Sequence, residues 1–181
     1  MKGIIFNLAQ EVVTGSYGED TWDSLLDRTG LEGSYTSLGN YPDSELMALV
    51  GAAADALGRP AEDVVRELGV GAIPLLAARY PGFFDGHAST YPFVLTLNDI
   101  IHAEVRKLYP DADLPTFEFE RTGDDALVLI YRSERRLCAL AEGFLLGAAA
   151  HYGERAVIDQ SECMLHGADR CRIRCVFSAA D

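Results

Sequence analysis

The chain has 181 residues, 49% of them apolar, so length alone predicts one domain with enough apolar surface to bury a sizeable core. Its 28 acidic against 15 basic side chains leave a formal charge of −13, which argues against a nucleic-acid backbone or an anionic membrane as partner. No stretch reaches the about 18 consecutive apolar residues of a membrane span, and the opening MKGIIFNLAQEVV, interrupted by Asn7, Gln10 and Glu11, is no secretory signal. A cytoplasmic location is expected, with the four cysteines as reduced thiols or metal ligands.

In chain order, Ile4, Ile5, Leu8, Val12 and Val13 recur at helical spacing, and Thr21 to Asp27, Ser44 to Leu57, Ala61 to Leu68 and Leu95 to Leu108 repeat that period between Pro and Gly punctuation. From Thr116 the period shifts to two: FEFER, a turn at TGDD, then ALVLIYRSER predict an antiparallel hairpin. A helix is predicted from about Leu137 to Ala150, and AVIDQSECML and CRIRCVF, flanking HGADR, predict a second hairpin. The fold class is therefore α+β. A helical N-terminal half, about 1–110, packs on a C-terminal antiparallel sheet with one long helix, about 111–181, and the two make a single domain, 1–181. Trp22 is expected in the core, and the pairs Glu19/Asp20 and Asp124/Asp125 are expected to solvate turns. His87 and His151 receive no role.

On the second predicted strand Leu127, Leu129, Tyr131, Ser133 and Arg135 share a face, so an apolar floor runs into a phenol, a hydroxyl and a guanidinium. Two readings stand: a strand end leaving the core for solvent, or an anion clamp in which Arg135 offers a charged fork to a carboxylate. His102 lies at the edge of the stripe Leu97, Ile101, Val105, Leu108, where a histidine is commonly half-exposed or hydrogen-bonded. Imidazole is also an axial ligand of haem iron, and haem is a flat apolar ring with two carboxylates. His102 and the polar row fit that one ligand.

MKGIIFN, YTSLGNYPDSEL, IHAEVRKLYPDADLPTF and the Tyr-x-Ser-x-Arg row that follows the histidine helix resemble the bacterial stand-alone H-NOX domain, the haem-nitric oxide/oxygen binding domain also found in soluble guanylate cyclases. The likeness runs from Met1 to about Phe177. It implies haem b buried between the two halves, His102 on the iron, Tyr131, Ser133 and Arg135 on the propionates, and Ile5 and Pro115 pressing on a bent ring. Oxygen-binding members carry a distal tyrosine five residues beyond the motif's arginine; that position here is Leu140. The expected distal lining is Ile5, Ala9, Pro74, Leu140 and Phe144, and none of these can donate a hydrogen bond to bound dioxygen. Tyr91 is the donor that would overturn this lining. The expectation is a nitric oxide sensor, with carbon monoxide as a laboratory ligand; an oxygen-binding H-NOX is the weaker alternative. Nitric oxide weakens the bond trans to itself, which frees His102 and its helix to regulate a separate histidine kinase or cyclic-di-GMP enzyme. The chain itself is not expected to be an enzyme, because that distal lining holds no acid or base to cleave a peroxide.

Cys163, Cys171 and Cys175 cluster in the last hairpin with His166 nearby, and Cys138 opens the preceding helix. They read either as small buried apolar groups or as a tetrahedral zinc site. Zinc-bearing H-NOX proteins use a cysteine at the helix start, a histidine three residues before the hairpin's first cysteine, and two hairpin cysteines. By that resemblance Cys138, Cys163 and Cys171 match, but the histidine position is Gln160, so Cys175 or His166 supplies the fourth ligand or there is no zinc. A zinc-thiolate redox sensor on the same fold is the alternative function.

Overall fold

In the computed structural model, which describes residues 1–123 and 125–180, the N-terminal half folds as α1 (Gly3–Tyr17), α2 (Glu19–Thr29), α3 (Asp43–Leu57) and α4 (Ala61–Arg79). Glu19 and Asp20 sit in the first turn of α2 rather than in a loop, where negative charge complements the helix dipole. Helix α4 continues past the predicted stop at Leu68, through Gly69, Gly71 and Pro74. Those residues are weak helix formers, but burial of Val65, Leu68, Ala72 and Ile73 overrides propensity. Pro74 removes the helical donor to the Val70 carbonyl, and a later helix closes on that oxygen: a Cβ at Gly147 would lie 2.8 Å from it.

The single helix expected over Leu95 to Leu108 is broken. It forms α5 (Thr90–Leu95), a π turn (Leu97–Ile101) and α6 (His102–Leu108). The Thr96 hydroxyl donates to Phe93 O at 2.7 Å, and Thr96 O accepts from both Ile100 N at 2.9 Å and Ile101 N at 3.1 Å. His102 N–H then reaches back to Leu97 O, the i to i−5 bond of a π turn.

The remainder is β1 (Thr116–Arg121), β2 (Ala126–Arg132), α7 (Cys138–His151), β3 (Glu154–Glu162) and β4 (Cys171–Ala179), with the strands in the antiparallel order β1-β2-β4-β3. The second strand stops at Arg132 instead of reaching Arg135; Ser133 to Arg135 belong to a turn closed by Arg136 at φ 50°. Asp124 of the expected turn lies outside the described residues, and Asp125 is exposed.

Strand β2 is buried on both faces. Leu127, Leu129 and Tyr131 enter one core with α7, while Val128 and Ile130 pair with Glu120, Arg174, Glu118 and Arg172. Ion pairs on that side, Arg172 to Glu120 at 2.8 Å and Arg132 to Glu118 at 2.5 Å, lay long side-chain stems over the apolar residues. A second core joins α1 to α4 with the start of α7 and includes Trp22. Among the described residues no helix is long and apolar enough to cross a membrane.

Candidate functional site

Helix α7 is apolar on nearly every face, Glu142 and the terminal His151 apart, because most of it is buried between α4 and the sheet. Its approach to α4 is backbone against backbone: a Cβ at Gly143 would lie 2.1 Å from Arg66 O, and one at Gly69 would lie 2.6 Å from Leu140 O. This seam, α1, α6 and the end of β2 enclose a cavity of about 320 Å³, within the usual range for small-molecule sites of about 300–1,000 Å³.

His102 borders the cavity and is 9% exposed. Its Nδ1 is buried with no hydrogen-bond partner among the described residues. Burial, with a smaller contribution from the Arg106 charge, pushes its pKa down to about 4, so the ring is neutral at neutral pH and keeps a lone pair for a metal. The Phe117 ring lies 5.7 Å from that of His102 and also 5.7 Å from that of Tyr131, so aromatic packing joins the histidine helix to β2.

Tyr131, Ser133 and Arg135 all line the same cavity although only the first is on the strand. Burial raises the Tyr131 pKa to about 12, which keeps the phenol protonated and a donor. Arg135 is held by residues that sequence inspection did not single out. Its Nε donates to Asp43 Oδ2 at 2.8 Å, and its Nη1 donates to Asp113 Oδ2 at 2.8 Å and to Asp113 O at 2.5 Å. Nη2 makes no hydrogen bond to a described residue. Asp43 also receives the Met1 ammonium at 2.5 Å; burial favours its protonation, but the two cations outweigh this and hold the carboxyl below its ordinary range.

Ile5, Pro115, Leu140 and Phe144 line the cavity, whereas Ala9, Pro74 and Tyr91 are not among its lining residues. Ala9 packs in the core of the first four helices. Two further phenols, Tyr80 and Tyr109, border the cavity beside each other. A neutral histidine with an unused buried nitrogen, apolar walls, and a guanidinium and phenol at one edge suit a flat apolar ring with acidic substituents.

Of the residues considered for a metal, Cys138, Cys163 and Cys171 converge, their sulfurs all within 4.8 Å of one another and Cys138 Sγ 3.7 Å from Cys163 Sγ. Cys175 and His166 do not join this group. Cys175 is buried elsewhere in the core, its thiol pKa pushed up to about 12 mainly by burial, and His166 is exposed in a 3₁₀ turn. Gln160 Nε2 is buried without a partner among the described residues.

A family model described as Haem-NO-binding matches residues 2–160. The chain is similar to an H-NOX protein from S. oneidensis in the Fe(II)NO ligation state, with 35% identity, a TM-score of 0.91, and coverage of 98% of this chain and 99% of that one. A Fe(II) unliganded H-NOX protein from K. algicida matches with 27% identity and a TM-score of 0.87, over 98% of this chain and 97% of that one. An oxygen binding H-NOX domain related to soluble guanylate cyclases, in its oxygen complex, shares the fold at 22% identity with a TM-score of 0.83, over 99% of this chain and 96% of that one. Comparison with curated proteins finds no match.

Proposed function

This chain belongs to the haem-NO-binding, or H-NOX, family, and from that premise we propose that it is a nitric oxide sensor in which His102 binds the iron of haem b while Tyr131, Ser133 and Arg135 hold the propionates. The observation that carries the choice of gas is the wall formed by Ile5, Leu140 and Phe144, which has no hydrogen-bond donor. Bound dioxygen gathers negative charge and needs such a donor, whereas nitric oxide does not. Haem held by His102 would supply the iron at which the gas binds.

The chain's own residues would turn loss of the His102 tether into movement. His102 remains neutral on release, so the apolar surroundings that depress its pKa still accept it. His102 is the one buried residue of helix α6, so its release would loosen the start of the helix, while Val105 and Leu108 continue to border the cavity. Ile5 and Pro115 line the cavity wall, where they would rest against a bound ring. A coupling of about 1–3 kcal/mol would suffice to regulate a separate histidine kinase or cyclic-di-GMP enzyme.

The test is the absorption and spin-resonance spectrum of the haem-loaded ferrous chain, first alone, then with nitric oxide, then with air. A five-coordinate nitrosyl signal and no stable oxygenated spectrum are expected. A stable oxygenated spectrum would favour the oxygen-binding reading and make Tyr80 the first donor to examine, and failure to take up haem would overturn the assignment.

A second reading rests on the three converging sulfurs: a zinc-thiolate redox switch on the same fold. Three thiols and Gln160 make an incomplete donor set, because an amide is a poor zinc ligand. Metal analysis of the purified chain is expected to find less than one zinc per chain, and stoichiometric zinc lost on Cys138→Ala would establish the site.

A further inference from the structure

The histidine segment is mostly half-buried, and Leu97 and Ile101 hold it against the core. Helix α6 buries one side chain and the π turn before it buries none. Ile100 is 50% exposed, Leu97 and Ile101 are partly buried against the core, and Val105 and Leu108 border the cavity, so the apolar stripe of the segment faces the cavity. Apolar contacts of this kind let a helix rotate or slide, and a directional polar tether fixes its register. The Asn98 side-chain amide provides one, donating from Nδ2 to Phe117 O at 2.6 Å. Strand β1 is an edge of the sheet, where backbone groups remain open to such a bond.

Phe117 is also the residue whose ring backs His102. The tether therefore joins the π turn to the surface against which the imidazole rests. The π turn itself accommodates one residue beyond the α repeat, through the Leu97 O bond to His102 N–H. An inserted residue changes the direction in which the next side chain leaves the helix axis, by roughly 100° at 3.6 residues per turn. The next side chain here is His102.

We propose that Asn98 is a positioning residue for His102: bonded to Phe117 O, it fixes the π turn on the edge of the sheet, sets the direction from which His102 enters the cavity, and stays in place as the pivot when α6 moves. This inference rests on the reading of His102 as the iron ligand. It divides the segment at His102 into a stationary π turn and a mobile α6.

Amide hydrogen exchange on the unaltered haem-loaded chain tests the division without risk to folding. Nitric oxide is expected to raise exchange in Ala103 to Leu108 and leave Ile100 to His102 unchanged; a rise that begins at Ile100 would overturn the pivot. Two variants test the bond. Asn98→Asp keeps the side chain's size but, ionised, cannot donate, and Asn98→Ala removes both size and donor. Both are expected to raise exchange at Ile100 to His102 about fivefold, the factor a hydrogen bond of ordinary net strength represents, and to shift the iron–histidine stretching frequency. Asn98→Asp behaving as the parent while Asn98→Ala departs would reduce the contact to packing and sink the proposal. A parent chain that takes up no haem would remove the reading and the inference together, whereas a parent that binds haem and nitric oxide but fails the exchange test removes only the inference.

Discussion

Leu140→Tyr is expected to give this chain a stable oxygenated form where the parent has none. Leu140 is buried on α7 and lines the cavity with Phe144 and Ile5. A phenol there would stand beside the apolar side chains of Ile5 and Phe144, and a buried tyrosine hydroxyl seeks a partner. Dioxygen on ferrous iron offers one that is partly negative. A hydrogen bond to a charged group contributes about 1.5–3 kcal/mol, so dioxygen release should slow by on the order of 10- to 100-fold. Nitric oxide, which needs no donor, should bind nearly as before. The absorption spectra of ferrous parent and variant in air, with stopped-flow measurement of dioxygen release from the variant, decide the matter. A variant that takes up haem normally yet shows no oxygenated spectrum would mean that position 140 does not face the gas.

The helices and strands were legible where apolar period and turn residues agree, and obscure where distant contacts choose. Strand β4 alternates buried with more exposed residues, and β3 alternates half-buried with exposed ones, as their sequences predict. The extension of α4 was hidden because Gly69, Gly71 and Pro74 argue against helix locally, while the partner that compensates, α7, lies far along the chain. The π turn was hidden for the opposite reason. Leu97, Ile101, Val105 and Leu108 fit an unbroken α helix, and only Thr96, which bonds its own upstream turn, hints at the break.

The site was legible in part. Tyr131, Ser133 and Arg135 reach one cavity, but by a turn that closes at Arg136 and not by strand alternation. Asp43 and Asp113, which hold Arg135, stand 92 and 22 residues away from it, and no local pattern announces such pairs. The thiols show the limit of counting. Cys171 and Cys175 both point inward from β4, yet four residue steps along the strand separate them by about 13 Å, too far to share one metal with Cys138.

Gly143→Ala is expected to destabilise the protein by about 3 kcal/mol, although alanine is the better helix former. The added carbon would lie 2.1 Å from Arg66 O and 2.9 Å from Gly69 Cα, both backbone atoms of α4, so no side chain can rotate away and the helices must separate. Separation also strains the ion pair from Arg66 Nε to Glu142 Oε2 at 2.9 Å, whose carboxylate is buried and would be left poorly paired. Gly51→Ala in α3 provides the contrast, because a Cβ there meets nothing within 4 Å. That change should stabilise by up to about 1 kcal/mol through helix propensity alone. Urea unfolding of the two variants beside the parent, all haem-free, measures both shifts, and equal midpoints for the two alanine variants would show that the seam yields easily. The seam also carries the cavity. Ile73 and Leu76 on α4 and Leu140 and Phe144 on α7 line it from the two sides of the contact, so helices forced apart at Gly143 should hold haem less tightly as well.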